Sequence, residues 1–176
     1  MKAVIDTNVL LVANEQHSDV SPECIETCIK ILMRMKESGV TVIDDSYLIL
    51  KEYRNKTSTT PEKGVGDVFL KHLLQNKSNV ARVVQVQITE VAEHFFTEFP
   101  DINIESQFDG PDRKFIAVSN AHPDKPEVWQ AADCKWLDWS QTLEDCGLRI
   151  KFLCPNDICK FYQKKFPGKA VPSLPN

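Results

Sequence analysis

Four carboxylates, Asp6, Glu52, Asp112 and Asp133, stand at the ends of apolar segments rather than within polar ones. Asp6 ends the run Ala3-Val4-Ile5, Glu52 lies in "LILKEYRN", Asp112 opens "DRKFIAV", and Asp133 closes "VWQAAD". Carboxylates drawn within a few ångströms of one another repel, and are costly to hold together without a cation. Oxygen ligands from separate side chains, with positions left for water, suit Mg²⁺ or Mn²⁺ better than zinc. Each acid also has a plainer role. Asp6 can cap a helix beginning at Thr7, Glu52 can pair with Lys56 one turn on, and Asp112 is favoured by the dipole of the helix it starts. Asp44 and Asp45 read mainly as helix caps in the same way. Only a fold that gathers all four ends on one edge distinguishes chemistry from capping.

The segments between the acids supply such a fold. Ala3 to Ile5 is short and β-branched enough to be a strand covered on both faces. "SPECIETCIKILMRMKESG" is an amphipathic helix with Ser21 as N-cap, Pro22 at its first position and Gly39 as its stop. Val40 to Ile43 forms the second strand, and Asp45 or Ser46 caps a helix running through Lys56. "NKTSTTPEKGVG" is a polar break with Pro61, Gly64 and Gly66, followed by a short helix near Val68 to Leu74. "NVARVVQVQI" alternates as a strand, and "TEVAEHFFTEF" has the spacing of a helix that Pro100 stops. "GPDRKFIAVSNAH" is a helix, "EVWQAAD" a strand, "WSQTLEDCG" a helix, "LRIKFL" a strand and "PNDICKFYQKKF" a last helix. Strands alternating with helices imply a parallel sheet with both faces covered.

Composition bounds the rest. A chain of 176 residues suits one domain. No apolar run approaches the roughly 20 residues of a membrane span, and no basic leader followed by a long apolar stretch opens the chain. A cytoplasmic protein is therefore expected. The six cysteines form no C-x-x-C pair and have no histidine at a matching spacing, so Cys24 and Cys28 read as small core residues. A net charge of −4 argues against gripping nucleic acid by bulk electrostatics and leaves only local basic strips.

Together "VIDTNVLL", "LILKEYRN", "DRKFIAVSNA" and "VWQAADCKWLDW" resemble the motifs of the PIN-domain nucleases, in that family's order, over residues 1–56 and 109–158. The resemblance implies a PIN-like three-layer α/β sandwich, its central parallel sheet flanked by helices, over residues 1–160, with 161–176 as a helix end and loose tail. It also implies an endoribonuclease that hydrolyses RNA phosphodiester bonds with Mg²⁺ or Mn²⁺. Asp6, Glu52, Asp112 and Asp133 are then the catalytic acids, and Asp6, Asp112 and Asp133 the metal ligands. Asn8 then steadies the first acid; apart from the resemblance, Asn8, Arg113 and Lys135 are read from their places beside the acids as the residues that meet the substrate. RNA, a small antitoxin protein and a second copy of the chain are the partners implied, since many small members are toxins of toxin-antitoxin pairs.

Lys135 departs from the pattern, standing before Trp136 where the family often has a further acid. Asp138, one turn on, is a candidate replacement. The alternative that Lys135 raises is a catalytically weak or inactive PIN-like domain that binds RNA or a protein partner. A phosphoacceptor receiver-like module fits less well, because its acidic pair belongs on the first strand and "VIDD" ends the second. Lys51, Arg54, Lys56, Arg113 and Lys114 are placed to meet phosphates. "KFYQKKFPGK" mixes lysines with rings that could stack bases, but reads first as the apolar face of the last helix and stays outside the site.

Overall fold

In a computed structural model of the chain, residues 1–57 and 63–175 are described. Pro61 and the centre of the polar break lie outside them. Strand β1 (Lys2–Ile5) is the middle of the sheet, and Ala3, Val4 and Ile5 have no exposed surface. Helices α1 (Thr7–Ala13) and α2 (Pro22–Ser38) lead to β2 (Val40–Asp44), and α3 (Leu48–Thr57) and α4 (Val65–Asn76) lead to β3 (Val83–Val86). After an excursion the chain returns through α6 (Arg113–Ala121) to β6 (Glu127–Gln130), α7 (Trp136–Asp145), β7 (Ile150–Phe152) and α8 (Pro155–Lys165).

The five parallel strands lie in the order β3-β2-β1-β6-β7. The chain thus winds outward from β1 to β3 on one side, then from β6 to β7 on the other. Right-handed crossovers in opposite directions put their helices on opposite faces. Helices α1 to α4 pack on one another, whereas α6 lies against β1, β2 and β6. The result is a three-layer α/β sandwich around a central parallel sheet, as the sequence implies.

Local chemistry explains where the elements start. Ser21 Oγ accepts from the Cys24 N–H at 3.2 Å, the cap expected for α2. Neither Asp45 nor Ser46 caps α3. The buried Asp44 does so instead, accepting from the N–H groups of Leu48 at 2.6 Å and Ile49 at 2.9 Å. Tyr47, at φ 61°, makes the turn between them.

One expected helix is absent. Residues 89–99 are not helical: Glu90–Ala92 (β4) and Phe95–Phe96 (β5) form an antiparallel pair, with His94 at φ 61° in the turn; α5 (Ile102–Glu105) follows. Carboxylates take the backbone donors a helix would need. Glu98 accepts from the Thr89 N–H at 2.7 Å, Glu90 from His94 at 2.7 Å, and the buried Glu105 from Phe96 at 2.8 Å. Valine, threonine and two phenylalanines also favour the extended chain. Cys24 and Cys28 are core residues, as they read in the sequence, but Cys24 is also bridged to Cys154, 130 residues away and immediately before α8. Such bridges persist in oxidising compartments and are rare where thiols are kept reduced. The bridge and the cytoplasmic expectation therefore pull in opposite directions. Among the described residues no helix is long and apolar enough to cross a membrane.

Helix α8 ends at Lys165, with Tyr162 fully buried, and Phe166 and Val171 beyond it still pack against its cluster. Thiol titration tests the cysteine pattern. Without reductant the unfolded chain should yield four thiols, Cys28, Cys134, Cys146 and Cys159, and after reduction six. In the native protein only the half-buried Cys146 and Cys159 should react promptly, since Cys28 and Cys134 are buried.

Candidate metal centre

The winding direction reverses between β1 and β6, and open α/β sheets bind ligands beyond the carboxyl ends of strands at such a reversal. Asp6 and Asp133 follow these two strands. The Asp6 N–H donates to the Trp129 carbonyl at 2.9 Å, extending the β1–β6 pairing up to the site. The Asp6 carboxylate accepts from the Asn8 N–H at 2.8 Å and so caps α1. Capping and site membership are two uses of one side chain. The Asn8 side chain does a second job: its Oδ1 accepts from the Ala131 N–H at 2.8 Å, holding the loop that carries Asp133.

Glu52 is positioned by its neighbour. Tyr53 is fully buried, and its hydroxyl donates to the Ile5 carbonyl at the end of β1, pinning α3 there. One Glu52 oxygen then accepts from the Thr7 hydroxyl at 2.6 Å, and the other pairs with the buried ammonium of Lys114, which also donates to the Pro111 carbonyl. Lys114 therefore serves Glu52 rather than a phosphate.

The tightest group includes an acid the sequence reading missed. Oxygens of Asp109, Asp112 and Asp133 lie within 4.8 Å of one another, all three residues half-buried. A 3₁₀ turn over Gly110–Asp112 brings Asp109 beside Asp112, because positions three apart eclipse in that geometry. The D-G-P-D spacing was the available signal. Asp6, expected among the innermost ligands, stands outside this trio but faces it. Burial raises its carboxyl well above the ordinary 3.8, and Asp112, Glu52 and Asp133 push it the same way against the Asn8 hydrogen bond. Burial likewise raises Asp112 to about 7, with Asp133, Asp109 and Glu52 adding to the shift and Lys114 opposing it. All four predicted acids thus converge electrostatically although they come from distant parts of the chain.

Two cations were expected to meet substrate, and they behave differently. Arg113 is buried and turned inward: its guanidinium donates to the Phe108 carbonyl at 2.8 and 3.0 Å and lies 4.2 Å from the Phe95 ring centre. It holds the turn in place and is not the surface cation expected. Lys135 is at the site, its ammonium 2.5 Å from Asp109 and its N–H 3.1 Å from Asp133 Oδ1. The hydrogen bond to Asp109 raises its pKa against burial, with Asp109, Asp133 and Asp112 also favouring the charged form. Asp138 supplies no replacement acid, since it accepts from Tyr162 at 2.5 Å and Lys169 at 2.9 Å.

Two cavities flank the acids. One, of about 590 Å³, is lined by Lys51, Glu52, His94, Asp112 and Lys114 among others. The second, of about 610 Å³, joins Asn8 and Asp133 to His17, Phe161, Lys164 and Lys165. The lysine and aromatic pattern of α8, set aside in the sequence, is therefore a neighbour of the site. No family model, curated protein or solved structure matches the chain.

Carboxylate oxygens gathered this closely fit a hard divalent cation, which needs several oxygen ligands and keeps some water. Without one, the raised acids carry a consequence for stability. Asp112 holds its proton up to about pH 7 when folded but only to about 3.8 when unfolded, so the native state binds more protons between these values. Stability is greatest below that window and is lost as pH rises through it. Melts in chelator should show the midpoint falling from pH 5 to pH 8, with a smaller fall in Asp112→Asn.

Proposed function

We propose that the chain is a metal-dependent endoribonuclease that hydrolyses RNA phosphodiester bonds. The observation that carries this reading is the meeting of Asp109, Asp112 and Asp133, with Asp6 and Glu52 behind them, at the reversal of the sheet. Asp109, Asp112 and Asp133 would hold the ion, with Asp6 as a buried brace. When bound, Mg²⁺ or Mn²⁺ neutralises charge growing on the phosphoryl oxygens and lowers the pKa of water for attack on phosphorus.

The chain's own groups set the geometry. Glu52 is held at both oxygens, by Thr7 and Lys114, so it orients water and the α6 end and does not act as a free base. Asn8 fixes the spacing of the β1 and β6 loops that carry Asp6 and Asp133. Lys135, 37% exposed, supplies a positive charge beside the trio that a phosphoryl oxygen can use. Lys114 already compensates Glu52, which favours one ion over two.

The Lys135–Asp109 pair also favours a second reading, a module that binds RNA without cleaving it, because an ammonium already occupies one oxygen of the trio. Cleavage assays separate the two. Labelled single-stranded RNA should be cut in Mg²⁺ or Mn²⁺ and left intact in EDTA. Asp112→Asn and Asp133→Asn should each lower the rate at least about a hundredfold, roughly 2.7 kcal/mol of lost transition-state stabilisation. Cleavage in chelator would refute the metal mechanism. An inactive wild type that gains activity in Lys135→Asp would favour the non-cleaving module.

A further inference from the structure

We infer that the cavity between α8 and Asp133 binds one unpaired nucleotide of the RNA, its base against Phe161 and its flanking phosphates against Lys164 and Lys165. The inference rests on the nuclease reading and adds to it a built subsite. At about 610 Å³ the cavity falls within the roughly 300–1,000 Å³ of small-ligand sites. Because Asn8 and Asp133 line it too, an occupant would lie beside the acid cluster.

Its wall has the chemistry of a single-strand binder, in which rings take bases of any sequence and lysines follow the backbone. Phe161 is half-buried, with the His17 ring stacked on it at 5.7 Å and 28°. His17 Nδ1 is buried in this wall without a hydrogen-bond partner. Lys164 and Lys165 are exposed, and neither has a carboxylate partner among the described residues, whereas Lys169 is committed to Asp138. In a chain of net charge −4, such local cations must provide the grip. Asp19 and Asp133, which also line the cavity, disfavour phosphate beside them and so favour it at the lysines.

The wall is also rigid before anything binds. The Cys24–Cys154 bridge anchors the start of α8, Asp157 accepts from Ser21 Oγ at 2.6 Å, and Tyr162 donates to Asp138 at 2.5 Å. A preformed wall spares the ordering that binding would otherwise require.

Fluorescence anisotropy in EDTA, with a labelled single-stranded RNA of about 12 nucleotides, measures binding without cleavage. Phe161→Leu, which keeps apolar packing and removes the ring, should weaken binding about tenfold. The double variant Lys164→Ala, Lys165→Ala should lower the slope of log affinity against log salt by about 1.4, the value for two lost phosphate contacts on a single strand. Lys30→Ala, on α2 and paired with Glu26, should bind as wild type, and urea midpoints should show every variant folded. Duplex RNA of the same sequence should bind more weakly. Wild type that fails to bind, or affinity and salt slope unchanged in both cavity variants, overturns the inference even if the RNA is cut in Mg²⁺. Cavity-dependent binding with no cleavage in Mg²⁺ or Mn²⁺ keeps the subsite and overturns the nuclease reading.

Discussion

The structure is organised around the repulsion of five carboxylates at one edge of a sheet. Asp6, Glu52, Asp109, Asp112 and Asp133 come from segments spread along the chain, and the neighbouring acids add to what burial does in raising Asp6 and Asp112. A fold selected for stability alone would disperse them. Two internal ammonium groups, Lys114 on Glu52 and Lys135 on Asp109, offset part of the charge. Among the described residues neither Asp112 nor Asp133 has an ion-pair partner of its own. An imbalance of this kind is common where a site must accept a cation.

What keeps the acids from separating is a set of bonds made by their sequence neighbours. Tyr53 pins α3 to β1 through the Ile5 carbonyl, Asn8 ties the Asp6 and Asp133 loops together, and Arg113 braces the turn holding Asp109 and Asp112 by donating to Phe108. These contacts join buried or half-buried groups, where a lost partner leaves a donor or acceptor unsatisfied and is expensive. The scaffold thus stores the repulsion by making local retreat costly. The same rigidity extends to α8, which carries lysines and a ring to the cavity beside Asp133.

The outline of the fold was legible because it follows from local rules. Ala3 to Ile5 and Val40 to Ile43 read as buried strands from composition, and Ser21-Pro22 marks a helix start that tertiary structure had no reason to override. Asp6 and Asp112 were legible for the same reason, at a strand end and a helix start, whereas Glu52 lies within α3 and Asp133 in the loop beyond β6. What stayed hidden depends on partners that no spacing rule identifies, whether near or far along the chain. The span 89–99 has helical spacing, but Glu98 and Glu105 redirect its backbone. Arg113 reads as a surface cation until the Phe108 carbonyl is seen beneath it. Cys24 and Cys154 are 130 residues apart, and no spacing rule connects them. Asp109 lay within reach of sequence reasoning, through the eclipsing of a 3₁₀ turn across Gly-Pro.

If the crowded carboxylates exist to hold a cation, metal uptake must be saturable, stoichiometric and dependent on the trio. Counting free Mn²⁺ by electron paramagnetic resonance during a titration at pH 7 tests this without reference to any substrate. One site per chain is expected in the wild type, weakened by more than about tenfold in Asp112→Asn and in Asp133→Asn. Uptake that never saturates, or that is the same in wild type and both variants, would contradict the metal centre and leave the acids without an explanation.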